Sequence, residues 1–398
     1  MTNHSPTTDR IASVDIFRAL TMLLMIFVND MAGLANIPGW MKHTAADVDG
    51  MGLSDVVFPA FLFIVGLSIP HALRARFAKG ETKGRIAVHI LLRSLALIIM
   101  GFFLVNLENI QPDGLVISKH VYAIFLILAF FLIWNLYPGA VIAGKVRRSW
   151  LRGAGILLLI LLAVIYKGGT PEDPSWMKPR WWGILGLIGW AYLVSAFIYL
   201  FAWNRFWLVA LALVVFSFLN FAEVSPLFEH LPTFKLIISA SNYVLVMGGV
   251  FATAMYHRIP PFKEKSWIYA GLLVFLAVII AGYGFDVRPL GGISKIRATP
   301  SWTSLCMGIS LAVYALLYLL ADKFKITKWA AFISPAGRST LTCYLLPYLV
   351  YPVMRLSGFQ WPPLLSSGGA GLLRSFAFAL LIIWVTGLLG KIQIRLRI

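Results

Sequence analysis

Long apolar runs, separated by short polar segments, follow one another along almost the whole chain. Runs of about 17–22 residues can cross the hydrocarbon core of a bilayer as helices. Lipid offers the backbone no hydrogen-bond partners, so such spans must be helical. The pattern predicts an all-α, polytopic bundle of about 12 transmembrane helices, with 10 or 11 left open because the fifth and seventh runs are short. The predicted spans are 14–35, 53–73, 86–106, 119–137, 153–166, 182–202, 207–222, 237–256, 267–284, 302–321, 339–356 and 371–389.

Basic residues between these runs set the predicted orientation. They cluster in every second connection, as in "RARFAKGETKGR" (74–85) and "GKVRRSWLR" (144–152). Lys and Arg accumulate in short cytoplasmic loops of membrane proteins. Both termini are therefore predicted to be cytoplasmic. We expect residues 1–398 to form a single integral membrane domain, with residues 1–10 as a disordered tail and no cleaved signal peptide.

Composition agrees with a membrane protein and argues against nucleic acid as a partner. Of 398 residues, 60% are hydrophobic and only 13% charged, about half of what soluble domains carry. The net charge of +18 is spread over loops rather than gathered in one basic domain. Cys306 and Cys343 stand alone in apolar runs, which indicates neither a disulfide framework nor a metal site.

The first outer loop and the start of the second span carry the clearest candidate chemistry. His43 lies among Asp47, Asp49 and Asp55. Histidine alone has an ordinary pKa near neutrality, and a carboxylate such as Asp55 can hold an imidazole in one tautomer. The pattern therefore favours a general base or a nucleophile. A solvated loop with a chance histidine is the alternative, and zinc is disfavoured because no second His or Cys is near.

Polar residues of the first span form a second candidate group. Asp15 and Arg18 share one face near the cytoplasmic surface, and Asn29 lies near the outer end. Polar residues inside a membrane usually face the bundle interior or a cavity. An interfacial ion pair and an interhelical hydrogen bond are the simpler interpretations.

Two later stretches offer cations to an anionic ligand. "KIRATPSWTS" (295–304) contains Lys295, Arg297 and Trp302 on the outer side. "GRST" (337–340) contains Arg338 and Ser339 on the inner side, where a helix N-terminus would favour a phosphate. Positive-inside charge with an ordinary N-cap is the alternative for "GRST".

Together these stretches resemble the heparan-α-glucosaminide N-acetyltransferase family, in particular its bacterial NagX-like branch. The resemblance begins with "RIASVDIFRALTMLLMIFVN" (10–29) and continues through Trp40, Lys42 and His43 to "GLSDVVFPAFLFIVGLSI" (52–69). "KIRATPSWTS" is similar to a later family stretch, and so is "GRSTLTCY" (337–344), where Arg338 or Ser339 replaces the usual Asn. Ala19 stands where the family usually has Gly, and the usual Trp-Asn-Gly after the histidine is missing. The chain is identified as a divergent member.

The resemblance implies transfer of an acetyl group from acetyl-CoA to a sugar amine on the far side of the membrane, without a metal. The family's catalytic His falls on His43, and its Asn and Asp fall on Asn29 and Asp55. His43 would act as the base or as an acetyl carrier, and an O-acetyl acceptor stays open. The CoA nucleotide would sit at either mouth of the bundle. The residues predicted to hold it are Asp15, Arg18, Lys295, Arg297, Trp302, Arg338 and Ser339.

Membrane lipids, acetyl-CoA and a small amino-sugar or glycan acceptor are the expected partners, and a homodimer is left open. The chain lacks the N-terminal lumenal domain of the animal proteins, which predicts a bacterial inner membrane. A transporter or flippase for sugars or lipid-linked glycans is the alternative. The absence of an internal repeat, and of acids in the middle of spans two to twelve, favours the enzyme.

Overall fold

A computed structural model describes residues 11–111, 114–137, 148–170, 172–203, 205–228, 236–258 and 266–398. The predicted tail at residues 1–10 lies outside this part of the chain.

The described residues form a bundle of helices. Eight of these helices, among the residues described, are long and apolar enough to cross a membrane, which confirms a helical membrane protein. Each predicted span overlaps a helix, although the count of about twelve spans and the side on which the termini lie stay predictions. The helices are α1 Ala12–Met31, α2 Leu53–Ala78, α3 Lys83–Glu108, α4 Lys119–Trp134, α5 Arg148–Ile165, α6 Gly183–Phe201, α7 Phe206–Ala222, α8 Ala240–Arg258, α9 Ser266–Asp286, α10 Pro300–Leu317, α11 Ser334–Arg338, α12 Thr340–Leu345, α13 Pro347–Leu356 and α14 Gly368–Lys391.

Short elements connect the helices. A π-helical turn, Tyr318–Lys323, extends α10. The strands β1 Gly168–Gly169 and β2 Pro174–Ser175 form a small antiparallel hairpin. The 3₁₀ turns are Gly39–Met41, Pro226–Phe228, Arg288–Leu290, Lys328–Ile333 and Pro363–Ser366.

Helices α1 and α2 lie at the centre and run in opposite directions. Helix α1 packs against α2, α11 and α14, and α2 packs against α8. The α2–α8 contact depends on glycine, because a Cβ on Gly66 would lie 1.9 Å from the Val246 carbonyl oxygen. Small residues allow such close approach between membrane helices. We call the end that carries the α1–α2 connection the outer end and the opposite end the inner end, after the predicted orientation.

A broken helical segment, which begins at the inner end, replaces the single predicted helix 339–356. Ser339 leaves helical geometry (φ −131°, ψ 49°) and separates α11 from α12. Pro347 then begins α13, because proline has no N–H to continue the hydrogen bonds of α12. Gly337 lets this segment approach α1, since a Cβ there would lie 2.7 Å from the Asp15 carbonyl oxygen.

Candidate functional site

The outer end holds a histidine–aspartate pair. The Nδ1 atom of His43 lies 2.7 Å from Oδ1 of Asp55. The Asp55 side chain is only 2% exposed, whereas 45% of the His43 side chain is exposed. A buried carboxylate therefore holds one edge of an imidazole whose other edge can meet a substrate. The structure brings together two of the three residues that the sequence singled out for catalysis, and the third, Asn29, lies apart from them.

The local chain path explains how Asp55 is held. Asp55 lies in the first turn of α2, and its Oδ2 accepts hydrogen bonds from the backbone N–H groups of Gly52 and Thr44, both at 3.0 Å. Unpaired N–H groups at a helix start favour a carboxylate. Gly52 itself is required by a close contact, because a Cβ there would lie 2.0 Å from the Lys42 carbonyl oxygen. The loop thus folds over the start of α2 and carries His43 to Asp55.

Two residues of "KIRATPSWTS", Lys295 and Trp302, contact the His43–Asp55 pair. The Nζ atom of Lys295 lies 3.3 Å from Nδ1 of His43 and 3.9 Å from Oδ1 of Asp55. The buried indole of Trp302 donates to the Asp55 backbone carbonyl at 3.2 Å. Burial lowers the pKa of Lys295, while the Asp55 carboxylate opposes that shift. Arg297, the third cation predicted for this mouth, is exposed.

The loop that carries Lys295 is fastened to the first outer loop. Asp49 accepts hydrogen bonds from the Ile293 backbone N–H at 2.7 Å and from Arg288 Nε at 2.9 Å. The Gly50 N–H returns a bond to the Ile293 carbonyl at 3.0 Å. The hydrogen bond from Ile293 and then the Arg288 guanidinium lower the pKa of Asp49. These contacts fix the position of Lys295 relative to His43.

A cavity of about 430 Å³ lies toward the inner end, between α1, α2, α3, α6 and the segment 337–344. Four of the residues predicted to hold the CoA nucleotide line it: Asp15, Arg18, Arg338 and Ser339. The cavity runs along α1 from Ile11 to Met25, about 21 Å at 1.5 Å per residue. Most of its other lining is apolar, so it offers a long apolar slot, and Arg18 lies midway along the stretch of α1 that lines it.

Arg18 connects the walls of this cavity. Its guanidinium pairs with Asp15 at 3.1 Å and donates to Ser68 Oγ on α2 at 2.7 Å. It also reaches the Gly337 carbonyl at 3.4 Å. The predicted Asp15–Arg18 ion pair is therefore present, and it orients a cation at the junction of α1, α2 and α11. Ser339 is the N-cap residue of α12, and its side chain makes no capping hydrogen bond.

Three further residues of the cavity were not predicted from the sequence. Arg93 of α3, His71 of α2 and Arg397 also line the cavity. Arg93 lies over the Tyr192 ring, 4.9 Å from its centroid. A charged residue inside an apolar span is itself a signal, since such residues face the bundle interior. Arg93 could have been found from the sequence by that rule.

Asn29 is exposed at the outer end of α1, and among the described residues it has no hydrogen bond to His43 or Asp55. Its neighbour Asp30 has a defined structural role. Asp30 pairs with Arg374 of α14 at 2.7 Å and accepts from Tyr351 at 2.6 Å. Both charged side chains are nearly buried, so this ion pair fastens α1 to α13 and α14. Arg374, a charge inside the last predicted span, was also missed.

The outer pair and the inner cavity belong to the same two helices. Thirteen positions of α2 separate Asp55 from Ser68, about 20 Å along the axis. The cavity reaches outward to Phe61, about 9 Å along α2 from Asp55. A molecule seated in the cavity thus has one end near arginines and the other directed toward the histidine. In the described part of the chain, no three His, Cys, Asp or Glu residues form a group that could hold a metal.

Comparison with known proteins identifies relatives over part of the chain. The human heparan-α-glucosaminide N-acetyltransferase is 38% identical over 97 residues, and the mouse protein of the same name is 35% identical over 100 residues. These matches cover 24% and 25% of this chain and 14% of each relative. No protein-family model matches. The predicted resemblance is therefore confirmed over about a quarter of the chain, where this protein is similar to two heparan-α-glucosaminide N-acetyltransferases.

Proposed function

We propose that this protein is a transmembrane acetyltransferase that moves acetyl from cytosolic acetyl-CoA to an amino sugar or related glycan on the outer side. One arrangement carries the proposal. A buried carboxylate holds His43 at the outer end, while a long cavity with arginines enters the same helices from the inner end. The similarity to two N-acetyltransferases supports an acetyl donor and an amine acceptor.

Acetyl-CoA suits the inner cavity by its chemistry. Its phosphates are anionic, and Arg18 and Arg338 supply cations at the inner mouth. Its pantetheine arm is long and weakly polar, which suits the apolar walls between α1 and α2. The thioester would then approach Asp55 and His43 from below. Lys295, Arg297 and Trp302 lie at the opposite end, so we assign the nucleotide to the inner mouth alone.

The chemistry proposed at the outer end begins with the tautomer of His43. Asp55 can only accept, so Nδ1 carries the proton and Nε2 keeps a lone pair. The acceptor amine attacks the thioester carbonyl carbon, the C–S bond breaks, and the CoA thiolate leaves. His43 takes the proton that the amine loses and returns it to the thiolate or to water.

A second route uses the same residues. Nε2 attacks the thioester first and carries the acetyl group, which then passes to the amine. In either route the exposed amide of Asn29 is proposed to donate to the carbonyl oxygen as negative charge develops on it. Single-turnover measurements without acceptor separate the routes, because only the second releases CoA before the amine arrives.

Ligand binding to the purified protein tests the proposal. We expect saturable binding of acetyl-CoA and of free CoA in detergent, measured by calorimetry, with ATP much weaker. Arg338→Gln should weaken acetyl-CoA binding roughly tenfold, the loss expected for one charge-assisted contact to phosphate. Arg355→Gln is the matched control, because Arg355 is an exposed arginine outside the cavity.

If acetyl-CoA does not bind, the likeness to acetyltransferases is one of fold, and the cavity would serve a transporter of sugars or lipid-linked glycans. If Arg338→Gln leaves acetyl-CoA binding unchanged, the proposed location of the nucleotide at the inner mouth is wrong.

A further inference from the structure

Two groups compete for one ring nitrogen of His43. Nδ1 lies 2.7 Å from the Asp55 carboxylate and 3.3 Å from the Lys295 ammonium. A carboxylate only accepts and an ammonium only donates, so Nδ1 cannot satisfy both. The shorter contact makes Nδ1 the donor to Asp55. Lys295 then acts on the ring through its charge and not through a hydrogen bond.

The charge of Lys295 matters because Asp55 is buried. A carboxylate without a counter-charge stabilises imidazolium beside it, and imidazolium has no lone pair with which to accept a proton. Lys295 Nζ, 3.9 Å from the same Asp55 oxygen, supplies that counter-charge. The charges of the Asp55 carboxylate and the Lys295 ammonium cancel, so the cluster has no net charge when the His43 imidazole is neutral.

The loop holds Lys295 in this place. The Lys295 carbonyl accepts from Ala298 N–H at 3.0 Å, and Ala298 takes a left-handed conformation with φ +51°. Ser294 N–H donates to Thr299 Oγ1 at 3.0 Å, closing the same turn. The backbone around Lys295 is therefore fixed against the start of α10.

Few other charged or titratable groups face this cluster in the described structure. Helix α10 contributes the buried thiol of Cys306, which lies 3.9 Å from the Asp55 carbonyl. On the adjoining loops, Asp49 and Arg288 pair with each other, and Arg297 is exposed. The cation that contacts both His43 and Asp55 is Lys295.

We propose that Lys295 is a positioning residue that balances the Asp55 charge and so keeps His43 neutral, with Nε2 ready to accept a proton. This proposal rests on the proposed role of His43 in acetyl transfer. In this scheme Lys295 contacts neither the acetyl donor nor the acetyl acceptor. It acts only through its effect on the protonation of the His43 imidazole.

The test follows the protonation of His43 without using acetyl transfer. Diethyl pyrocarbonate modifies neutral imidazole, so its rate at His43, taken as the difference from His43→Gln, reports the neutral fraction from pH 5 to 8. In Lys295→Met we expect the midpoint to rise by about one pH unit or more, the effect of removing a unit charge at this distance. Lys295→Arg, which keeps the charge, should hold the midpoint near that of the parent.

Lys42→Met is the matched control. Lys42 is the exposed neighbour of His43 and makes no side-chain hydrogen bond or ion pair among the described residues. Its loss should leave the midpoint in place, because charges in water are screened. An unmoved midpoint in Lys295→Met, or an equal shift in Lys42→Met, would overturn the proposal.

Acetyl transfer provides the second readout. The acidic limb of kcat/KM should move upward in Lys295→Met by the same amount as the modification midpoint, and not in Lys295→Arg. Should Lys295→Met unfold, Lys295→Gln replaces it. If the parent transfers no acetyl group, the proposed function fails, yet the modification profile still decides whether Lys295 sets the protonation of His43.

Discussion

At the scale of single residues, the two oxygens of the Asp55 carboxylate have different roles. Oδ2 accepts from the backbone of Gly52 and Thr44, and Oδ1 accepts from His43. The first oxygen fixes the carboxylate on α2, and the second selects the tautomer of the imidazole. A carboxamide could preserve the first arrangement while reversing the second, because its nitrogen can only donate.

We therefore expect Asp55→Asn to fold and to lose acetyl transfer by roughly 10²-fold or more. The amide would donate to Nδ1 and leave the proton on Nε2, where it blocks both proposed routes. Transfer of radiolabelled acetyl from acetyl-CoA to glucosamine measures the effect, with thermal unfolding as the check on folding. Asp47→Asn serves as the control, since Asp47 is exposed in the same loop. A fully active Asp55→Asn would remove the tautomer from the mechanism.

Residue types and short spacings predicted part of this site. His43 and Asp55 lie twelve positions apart, and an imidazole near a carboxylate at a helix start is visible in the sequence. Lys295 lies 252 positions from His43, so its contact with the imidazole depends on how the outer loops meet. The sequence grouped Lys295 and Trp302 with the CoA nucleotide, whereas in the structure both touch the His43–Asp55 pair.

At the scale of elements, the two outer loops behave as one unit because Asp49 joins them. Its carboxylate accepts hydrogen bonds from Arg288 and from the Ile293 backbone N–H. Lys295 lies two residues after Ile293 in the chain. Because the pKa of Asp49 is lowered in the folded protein, its contacts stabilise the loops at neutral pH and are weakened only in acid. The contact is fully present above the ordinary value of 3.8 and is lost as the pH falls through the lower folded value. Between pH 5 and 8 Asp49 does not change charge.

Removing this anchor should loosen the position of Lys295. We expect Asp49→Ala to lower kcat several-fold while acetyl-CoA binding at the inner cavity stays unchanged, because the anchor and the cavity lie at opposite ends. Steady-state kinetics and calorimetry on the same preparation measure the two effects. Asp47→Ala is the matched substitution, and an equal loss there would mean that the loop needs negative charge in general.

The hydrophobic pattern predicts some helix boundaries correctly and misses others. The predicted spans 119–137 and 207–222 correspond to α4 and α7 within a few residues. The predicted span 339–356 is divided, because Pro347 lacks the N–H that would continue α12. Proline was visible in the sequence, but the bend at Ser339 reflects packing of α11 on α1, which periodicity does not report.

At the scale of the whole molecule, the arrangement would keep the proposed acetyl donor and the proposed acceptor at opposite ends of the bundle. Arg18 donates to Ser68, which lies about 20 Å along α2 from Asp55. Arg18 joins α1, α2 and α11 at one end, and the Asp30–Arg374 pair joins α1 and α14 at the other. Buried ion pairs of this kind hold helices in register, since breaking one leaves a charge in an apolar bundle.

We predict that acetyl transfer has a fixed direction across the membrane. Proteoliposomes loaded with glucosamine, given radiolabelled acetyl-CoA outside, should accumulate labelled N-acetylglucosamine within the lumen. Molecules inserted with the inner cavity facing outward produce this signal, because acetyl-CoA itself does not cross the bilayer. His43→Ala liposomes should show none. A glucosamine carrier would instead release sugar from loaded liposomes without acetyl-CoA, and labelled product found only outside would place both substrates on one side of the membrane. Product trapped inside, with no loss of free sugar, requires the acetyl group alone to pass from the arginine-lined cavity to the histidine.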